Sequence, residues 1–223
     1  MGAISEIEWE ACLLKPVPNP ELEQRMQRET GRPGQLMRYF EASPWLAETI
    51  LHLSVQHKTH LHIDADLADQ IGLVISQDNS CRFCFGMQRA FLRVTGHSEA
   101  RISRMEHDHL VGEFPARDRA ILDFVRRLSR SQPLVDVAEL DGLRQAGLSR
   151  IEIAEVVGLA LNHLFFNRLA TLVALPPYQM EQFPDRWWVQ MLRPLLAIKF
   201  RRMRQFVDET ALREDEKSGP GAA

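Results

Sequence analysis

The chain has 223 residues, of which 45% are hydrophobic and 26% are charged. This balance is ordinary for a soluble globular protein, and a chain of this length buries enough surface to fold as one domain without disulfide bonds. The formal net charge of −3 excludes a general attraction to nucleic acid or to an anionic membrane, and three cysteines, an odd number, argue against a secreted disulfide framework.

Helix signals recur along the chain, whereas the strict alternation of polar and apolar residues that marks a strand is almost absent. Asn19-Pro20 combines an N-cap residue with a proline at the first helical position, and Ser43-Pro44 repeats this start. A capping box that begins at Ser149 opens a long apolar helix. We therefore predict an all-α fold of seven or eight helices around one core. The predicted helices begin near residues 20, 44, 64, 81, 115, 136, 149 and 185.

The chain is predicted to form one structural domain with three parts. Residues 1–60 are an N-terminal helical arm, and residues 61–177 form the core. Residues 178–223 form a last helix, kinked near Pro194, followed by a disordered tail from Arg213.

The apolar stretch Ile153–Leu175 is long enough to span a bilayer, but it contains Glu155, Asn162, His163 and Asn167, each costly at mid-membrane depth. We therefore predict a buried central helix and no membrane span. These polar residues fall near one stripe, which either lines a cavity or hydrogen-bonds loops at the edge of the core, and we favour the second interpretation. The acidic start of the chain does not resemble a signal peptide, so the predicted compartment is the cytoplasm.

The sharpest chemical feature is a Cys-x-x-Cys motif formed by Cys81 and Cys84, predicted to begin a helix that Asn79-Ser80 caps. Two cysteines at this spacing can close a small disulfide ring. The free N–H groups and partial positive charge of a helix N-terminus favour thiolate over thiol. These conditions suit reversible redox chemistry, and the absence of a strand–helix–strand pattern argues against a thioredoxin fold.

Two other interpretations of the motif remain open. The cysteines could form half of a zinc site, with His60-x-His62 or His107-x-His109 supplying the other ligands, although this choice is ambiguous. They could also be buried, inert thiols. We predict the redox pair, with no metal and no cofactor, and we expect Cys12 to be a free thiol without a role.

The stretch Asp69–Cys84 resembles the core of the AhpD-like proteins, the alkylhydroperoxidase D and carboxymuconolactone decarboxylase family. That core has a helix beginning with an acid, then Ser-x-x-Asn-x-Cys-x-x-Cys, then a helix with a histidine four residues on. Ala146–Ile153 and Asn167–Ala170 resemble the closing helices of the family, so the resemblance covers roughly residues 36–177. It implies an all-helical fold, an assembly based on trimers and a cysteine-based peroxidase, because plain decarboxylases generally lack the cysteine pair.

The resemblance also implies roles for individual residues. Cys84 matches the thiol that attacks the peroxide, and Cys81 matches the resolving thiol. Asp69 stands where the family has glutamate, and Gln88 stands where it has histidine. Gln88 shares a helix face with both cysteines, but glutamine cannot hold a proton. Any peroxidase activity is therefore predicted to be weak, unless His163 on the polar stripe has replaced the missing base.

Two classes of function follow from these observations. The first is a redox enzyme that takes a hydroperoxide or disulfide as substrate and is reduced by a dithiol protein. The second is a non-peroxidatic member that binds a small molecule or partner, or performs lactone decarboxylase-type chemistry. The last helix is basic, and we expect it to pack against another subunit of a homo-oligomer, a trimer or hexamer, rather than against nucleic acid or a membrane.

Overall fold

The computed structural model describes residues 16–30, 34–40, 42–56, 62–107, 114–130, 136–178 and 181–204. These residues form nine α-helices and two 3-10 helices, and none of them lies in a strand. The α-helices are α1 (Pro20–Thr30), α2 (Pro44–Gln56), α3 (Ala65–Asp78), α4 (Arg82–Thr95), α5 (Glu99–Glu106), α6 (Ala116–Arg130), α7 (Val137–Gln145), α8 (Arg150–Leu172) and α9 (Trp187–Arg204). The 3-10 helices are Gly34–Tyr39 and Phe183–Asp185. The predicted all-α fold class is confirmed.

Side-chain caps explain why α1 and α8 begin where the sequence predicts. At the start of α1, Asn19 Oδ1 accepts the N–H of Leu22 at 3.1 Å. At the start of α8, Ser149 Oγ accepts the N–H of Glu152 at 3.3 Å, and Glu152 Oε2 accepts the N–H of Ser149 at 2.8 Å. Each such cap satisfies backbone groups that the helix cannot pair itself and contributes typically about 1 kcal/mol.

Two differences from the predicted helices have simple physical reasons. The short helix α5 is not predicted because it buries only Ile102 and Met105, which is too little for a recognisable apolar stripe. The central helix α8 ends at Leu172 rather than at Leu175, because Ala174 adopts a positive φ of 49° that interrupts the helix.

Two apolar clusters hold the helices together. The larger one joins α3, α6 and α8 and includes Ile71, Phe124 and Val156. The second forms where the N-terminal helices meet the start of α4 and the end of α8, and it includes Met37, Ile50 and both cysteines of the motif. The predicted N-terminal arm therefore packs directly around the Cys-x-x-Cys motif.

Among the described residues, no helix is both long and apolar enough to cross a lipid bilayer. Pro194 lies inside α9, and the kink at this position stays a prediction. Several predictions concern parts outside the described residues. They are Cys12, the tail from Arg213, and the side chains of four residues that make the last helix basic, Lys199, Arg201, Arg202 and Arg204.

Candidate active site

The two cysteines lie at the turn that joins α3 to α4. Ser80 has a positive φ of 53°, and the N–H of Cys81 donates to the carbonyl of Ser76 at 3.0 Å. The N–H of Cys84 donates to Cys81 Sγ at 3.4 Å, so Cys81 is itself the N-cap of α4. The prediction that Asn79-Ser80 caps this helix is wrong, because Asn79 instead ends α3 and its side chain donates back to that helix at 2.9 Å.

The environment of Cys81 favours its thiolate. Burial raises the pKa of the Cys81 thiol, but hydrogen bonds to its sulfur outweigh burial and bring the pKa below the ordinary value. The groups whose interactions lower the pKa are the thiol and N–H of Cys84, the hydroxyl of Thr171 and the N–H of Phe83. Cys81 is therefore a thiolate more often than an ordinary cysteine is, as expected at the N-terminus of a helix.

Cys84, in contrast to Cys81, lines a cavity of about 40 Å³. Most of the cavity wall is apolar, and one region is polar. The wall also contains Met26, Leu36, Ser54, Phe83, Met87, Gln88, Asn162, His163, Phe166, Asn167, Ala170 and Leu175. The cavity thus brings together the first turns of α4, one face of α8 and residues from the N-terminal part of the chain.

Gly72 on α3 allows the polar region of the cavity to form. A Cβ atom at Gly72 would lie 2.6 Å from His163 Cε1 and 2.7 Å from Gln88 Nε2, both shorter than van der Waals contact. Gln88 and His163 therefore both lie against the bare backbone of α3 at this position. Both side chains are buried, with exposed fractions of 1% and 5%.

Two buried amides of the cavity have polar atoms that the described residues leave unpaired. Gln88 Oε1 and Asn167 Nδ2 have no hydrogen-bond partner in the described part of the chain. The other end of the Asn167 amide is fixed, because Asn167 Oδ1 accepts a hydrogen bond from Ser76 Oγ at 3.3 Å. An unpaired buried polar atom costs about 1–3 kcal/mol, so this acceptor and this donor are suited to pair with a ligand.

Four of the five predicted site residues belong to the motif or to the wall of its cavity. Cys81 and Cys84 are adjacent, and Gln88 and His163 line the same cavity as Cys84. Asp69 is buried in α3, but it does not line this cavity, and neither does any other residue of α3.

The polar stripe of α8 both hydrogen-bonds a loop at the edge of the core and lines a cavity. Glu155 accepts hydrogen bonds from the N–H groups of His62 and Ile63 at 2.9 and 3.1 Å, and so holds the loop before α3. Asn162, His163 and Asn167 instead line the Cys84 cavity. The interpretation we favoured is therefore correct only for the first residue of the stripe.

Several residues of the site are not predicted from the sequence, and three of them matter most for its geometry. Met26 and Leu36 reach the cavity from the predicted arm, and Thr171 interacts with Cys81 from the end of α8 and helps to lower its pKa. No local pattern marks Met26 or Leu36, because their role depends on packing between distant segments. Thr171 lies four residues after Asn167, so the helical repeat could have placed it on the same face.

No group of three or more histidine, cysteine, aspartate or glutamate side chains that could hold a metal ion occurs among the described residues. His60 and His109, two of the histidines considered as zinc ligands, lie outside that part of the chain.

No protein-family model and no curated protein matches the sequence. The fold, however, is similar to several solved structures. An uncharacterized peroxidase-related protein from Silicibacter sp. TM1040 superposes with a TM-score of 0.65 at 17% identity, covering 79% of this chain and 94% of that one. The alkylhydroperoxidase AhpD core of a peroxidase-related protein from Ralstonia eutropha JMP134 gives a TM-score of 0.64 at 18% identity, covering 75% and 93%.

A third similar structure is that of a debrominase rather than of a peroxidase-related protein. The debrominase Bmp8, in complex with 2,3,4-tribromopyrrole, superposes with a TM-score of 0.66 at 16% identity, covering 79% of this chain and 97% of that one. The similarity to these proteins shows that the chain has the AhpD-like fold, as its motifs predict.

Proposed function

We propose that this protein is a cysteine-based redox enzyme that reduces a small hydroperoxide through the Cys81/Cys84 pair. One observation carries the proposal: Cys84 lines a cavity and also donates hydrogen bonds to Cys81, whose pKa is lowered. A sulfur accessible to a substrate is thus adjacent to a second sulfur that is ready to close a disulfide.

The reaction balances with the two thiols as the only electron source. Cys84 first gives up its proton to a base in the cavity. The resulting thiolate attacks one oxygen of the hydroperoxide, the O–O bond breaks, and the leaving alkoxide takes a proton and departs as an alcohol. The Cys81 thiolate then attacks the resulting sulfenic acid on Cys84 and expels hydroxide, which leaves as water. The products are an alcohol, a water molecule and a Cys81–Cys84 disulfide, which an external dithiol reduces.

The unpaired amide atoms of the cavity match the functional group of a hydroperoxide. Its O–H can donate to Gln88 Oε1, and Asn167 Nδ2 can donate to the oxygen that becomes the alkoxide. A donor aimed at developing negative charge in a dry site stabilises the transition state more than the ground state.

His163 is our candidate for the group that handles the Cys84 proton. It lies in the Cys84 cavity, against Gln88, which occupies the place of the histidine in the family that the sequence resembles. Imidazole is the side chain best suited to accept and return a proton near neutral pH. Asp69 remains a candidate for a more remote part of this relay.

We further propose that a cytoplasmic dithiol protein regenerates the pair, because that compartment keeps thiols reduced. The experiment that separates a redox enzyme from a binding protein is thiol counting on the full chain. After mild oxidation with diamide, we expect two thiols to be lost, to map to Cys81 and Cys84, and to be recovered with dithiothreitol. Oxidation confined to Cys12, or release of a stoichiometric metal on denaturation, would contradict the redox assignment.

A second candidate, reductive debromination, is suggested by the described activity of Bmp8. The electron balance would be the same: two thiols become a disulfide, a C–Br bond becomes C–H, and bromide and a proton are released. The cavity volume argues against it as the main activity, because about 150 Å³ is the scale that holds a benzene-sized ring, against about 40 Å³ here. Dithiol-dependent bromide release from a bromopyrrole without any peroxide consumption would favour this candidate.

We also propose that the protein is a homo-oligomer based on trimers. The face of α9 formed by Trp187, Met191, Leu195 and Ile198 is apolar and exposed in the single chain, and these residues follow helical spacing. A contiguous exposed apolar patch is typical of a protein interface. Light scattering is expected to give a multiple of 25.6 kDa at micromolar concentration; a particle of the monomer mass would rule the assembly out.

A further inference from the structure

We propose that Met26 and Leu36 determine the substrate size that Cys84 accepts, and that they restrict the enzyme to hydrogen peroxide and the smallest alkyl hydroperoxides. We call α1 together with the 3-10 helix Gly34–Tyr39 the N-terminal roof. This inference rests on the proposed function for its substrate class, but the geometry of the roof is independent of that function.

The roof supplies part of the apolar wall of the Cys84 cavity. Met26 comes from α1 and Leu36 from the 3-10 helix, and they are only 3% and 7% exposed. The rest of the wall comes mainly from α4 and α8, which are also the helices that contribute Cys84, Gln88 and His163. A substrate that enters the cavity to reach Cys84 therefore meets these two roof side chains as well as the chemical groups of the site.

The roof is held together as a unit. Glu23 on α1 forms two hydrogen bonds with Arg38 of the 3-10 helix, both at 2.8 Å. A Cβ atom at Gly34 would lie 2.4 Å from the carbonyl oxygen of Glu23, so only glycine permits this close approach of backbones. Arg25 joins α1 to α2 through hydrogen bonds of 2.5 and 3.0 Å to Glu48. These contacts link the two segments that carry Met26 and Leu36 to each other and link α1 to α2.

The cavity volume sets the size limit. A buried space needs roughly 10–15 Å³ to hold one water molecule, and an apolar cavity of about 150 Å³ holds a benzene ring. The Cys84 cavity, at about 40 Å³, has room for hydrogen peroxide or the functional end of a short alkyl hydroperoxide but not for an aromatic ring. Removing the atoms beyond Cβ of Met26 or Leu36 enlarges the cavity toward the size of a ring.

The test measures the reactivity of Cys84 with two reagents of the same chemistry and different size. The full chain with Cys81→Ser, which prevents the disulfide from closing, is treated with methyl methanethiosulfonate and with benzyl methanethiosulfonate, and modification of Cys84 is mapped by peptide mass. A difference of one methylene between two substrates of a hydrophobic pocket changes the discrimination between them by about 10- to 200-fold. We therefore expect Met26→Ala and Leu36→Ala each to raise the benzyl-to-methyl rate ratio at least about tenfold.

The matched control is Met37→Ala, which removes the same side chain from a fully buried residue of the same cluster that does not line the cavity. This variant is expected to leave the ratio unchanged. An equal rise with Met37→Ala, or no rise in folded Met26→Ala and Leu36→Ala proteins, would overturn the proposal. The smaller truncation Leu36→Val, expected to raise the ratio by less, decides the question if the alanine variants do not fold.

A second measurement relates the roof to turnover. In the variants that retain Cys81, the ratio of kcat/KM for cumene hydroperoxide to that for hydrogen peroxide is expected to rise with Met26→Ala and Leu36→Ala. If the methanethiosulfonate ratio rises while no variant consumes either peroxide, the roof controls access to Cys84 and the proposed peroxidase function is wrong. If cumene hydroperoxide is already reduced as well as hydrogen peroxide by the unmodified protein, the roof does not set specificity.

Discussion

Replacing Cys84 with serine is expected to lower peroxide-dependent turnover by at least about 10⁴-fold, because it removes the reacting atom itself. Replacing Cys81 with serine is expected to give a different defect. Cys84 still takes one oxygen from the peroxide, but the sulfenic acid has no neighbouring thiolate and the enzyme stops after one turnover. Dimedone labelling, mapped by peptide mass, measures this: the label should appear on Cys84 in Cys81→Ser, and Cys81 should remain unlabelled in Cys84→Ser.

The opposite labelling pattern would show that Cys81 attacks the peroxide, even though only Cys84 lines the cavity. The pH dependence gives a further check. Because the pKa of Cys81 is lowered from the ordinary cysteine value, about 9.0, its thiolate persists as the pH falls below that value. The disulfide-closing step should therefore keep its rate through this range and lose it only when the pH falls through the lowered pKa.

Replacing His163 with glutamine is expected to lower the rate of peroxide-dependent thiol oxidation by about 10²-fold, the lower end of the contribution of general acid–base catalysis. Gln88→His alone should change the rate little, because a base is already present. In the double variant, Gln88→His should restore much of the rate, since His163 and Gln88 both lie against Gly72 and the imidazole is then only moved to the adjacent position. Rapid-quench thiol counting at a series of pH values measures these rates and their pH dependence.

A different result would revise the assignment of the base. If His163→Gln leaves the rate unchanged and Gln88→His raises it by up to about 10²-fold, the protein lacks a base and Gln88 is the cause of a weak activity. If none of the variants alters the rate, proton transfer at these positions does not limit the reaction. His163→Asn, with a shorter amide, controls for the loss of packing at this buried residue.

The sequence predicts most of the chemistry within single helices. The helical repeat places Cys81, Cys84 and Gln88 on one face of α4, and it places His163 and Asn167 on one face of α8. The same repeat does not predict which helix faces pack against each other. Tertiary packing brings α4 and α8 together around one cavity beside α3. Only contacts in the structure, such as those around Gly72, reveal this arrangement.

Three features of the site depend on structure that local patterns do not encode. Cys81 caps its own helix because the turn after α3 leaves Asn79 engaged with α3, and a cysteine is a less familiar cap than serine or asparagine. Asp69 lies on the helix that the resemblance indicates, yet no residue of α3 lines the cavity. Met26 and Leu36 enter the site from segments that precede the motif by more than forty residues, so no spacing rule identifies them.

The most direct measurement of the central claim is the product of one equivalent of hydrogen peroxide added to the fully reduced protein, followed by acid quenching and peptide mapping. We predict a Cys81–Cys84 disulfide in the same chain, consumption of the peroxide, an intact Cys12 thiol, and full recovery of both thiols with dithiothreitol. Unchanged Cys81 and Cys84 thiols with the peroxide still present, or oxidation at Cys12 alone, would contradict the account.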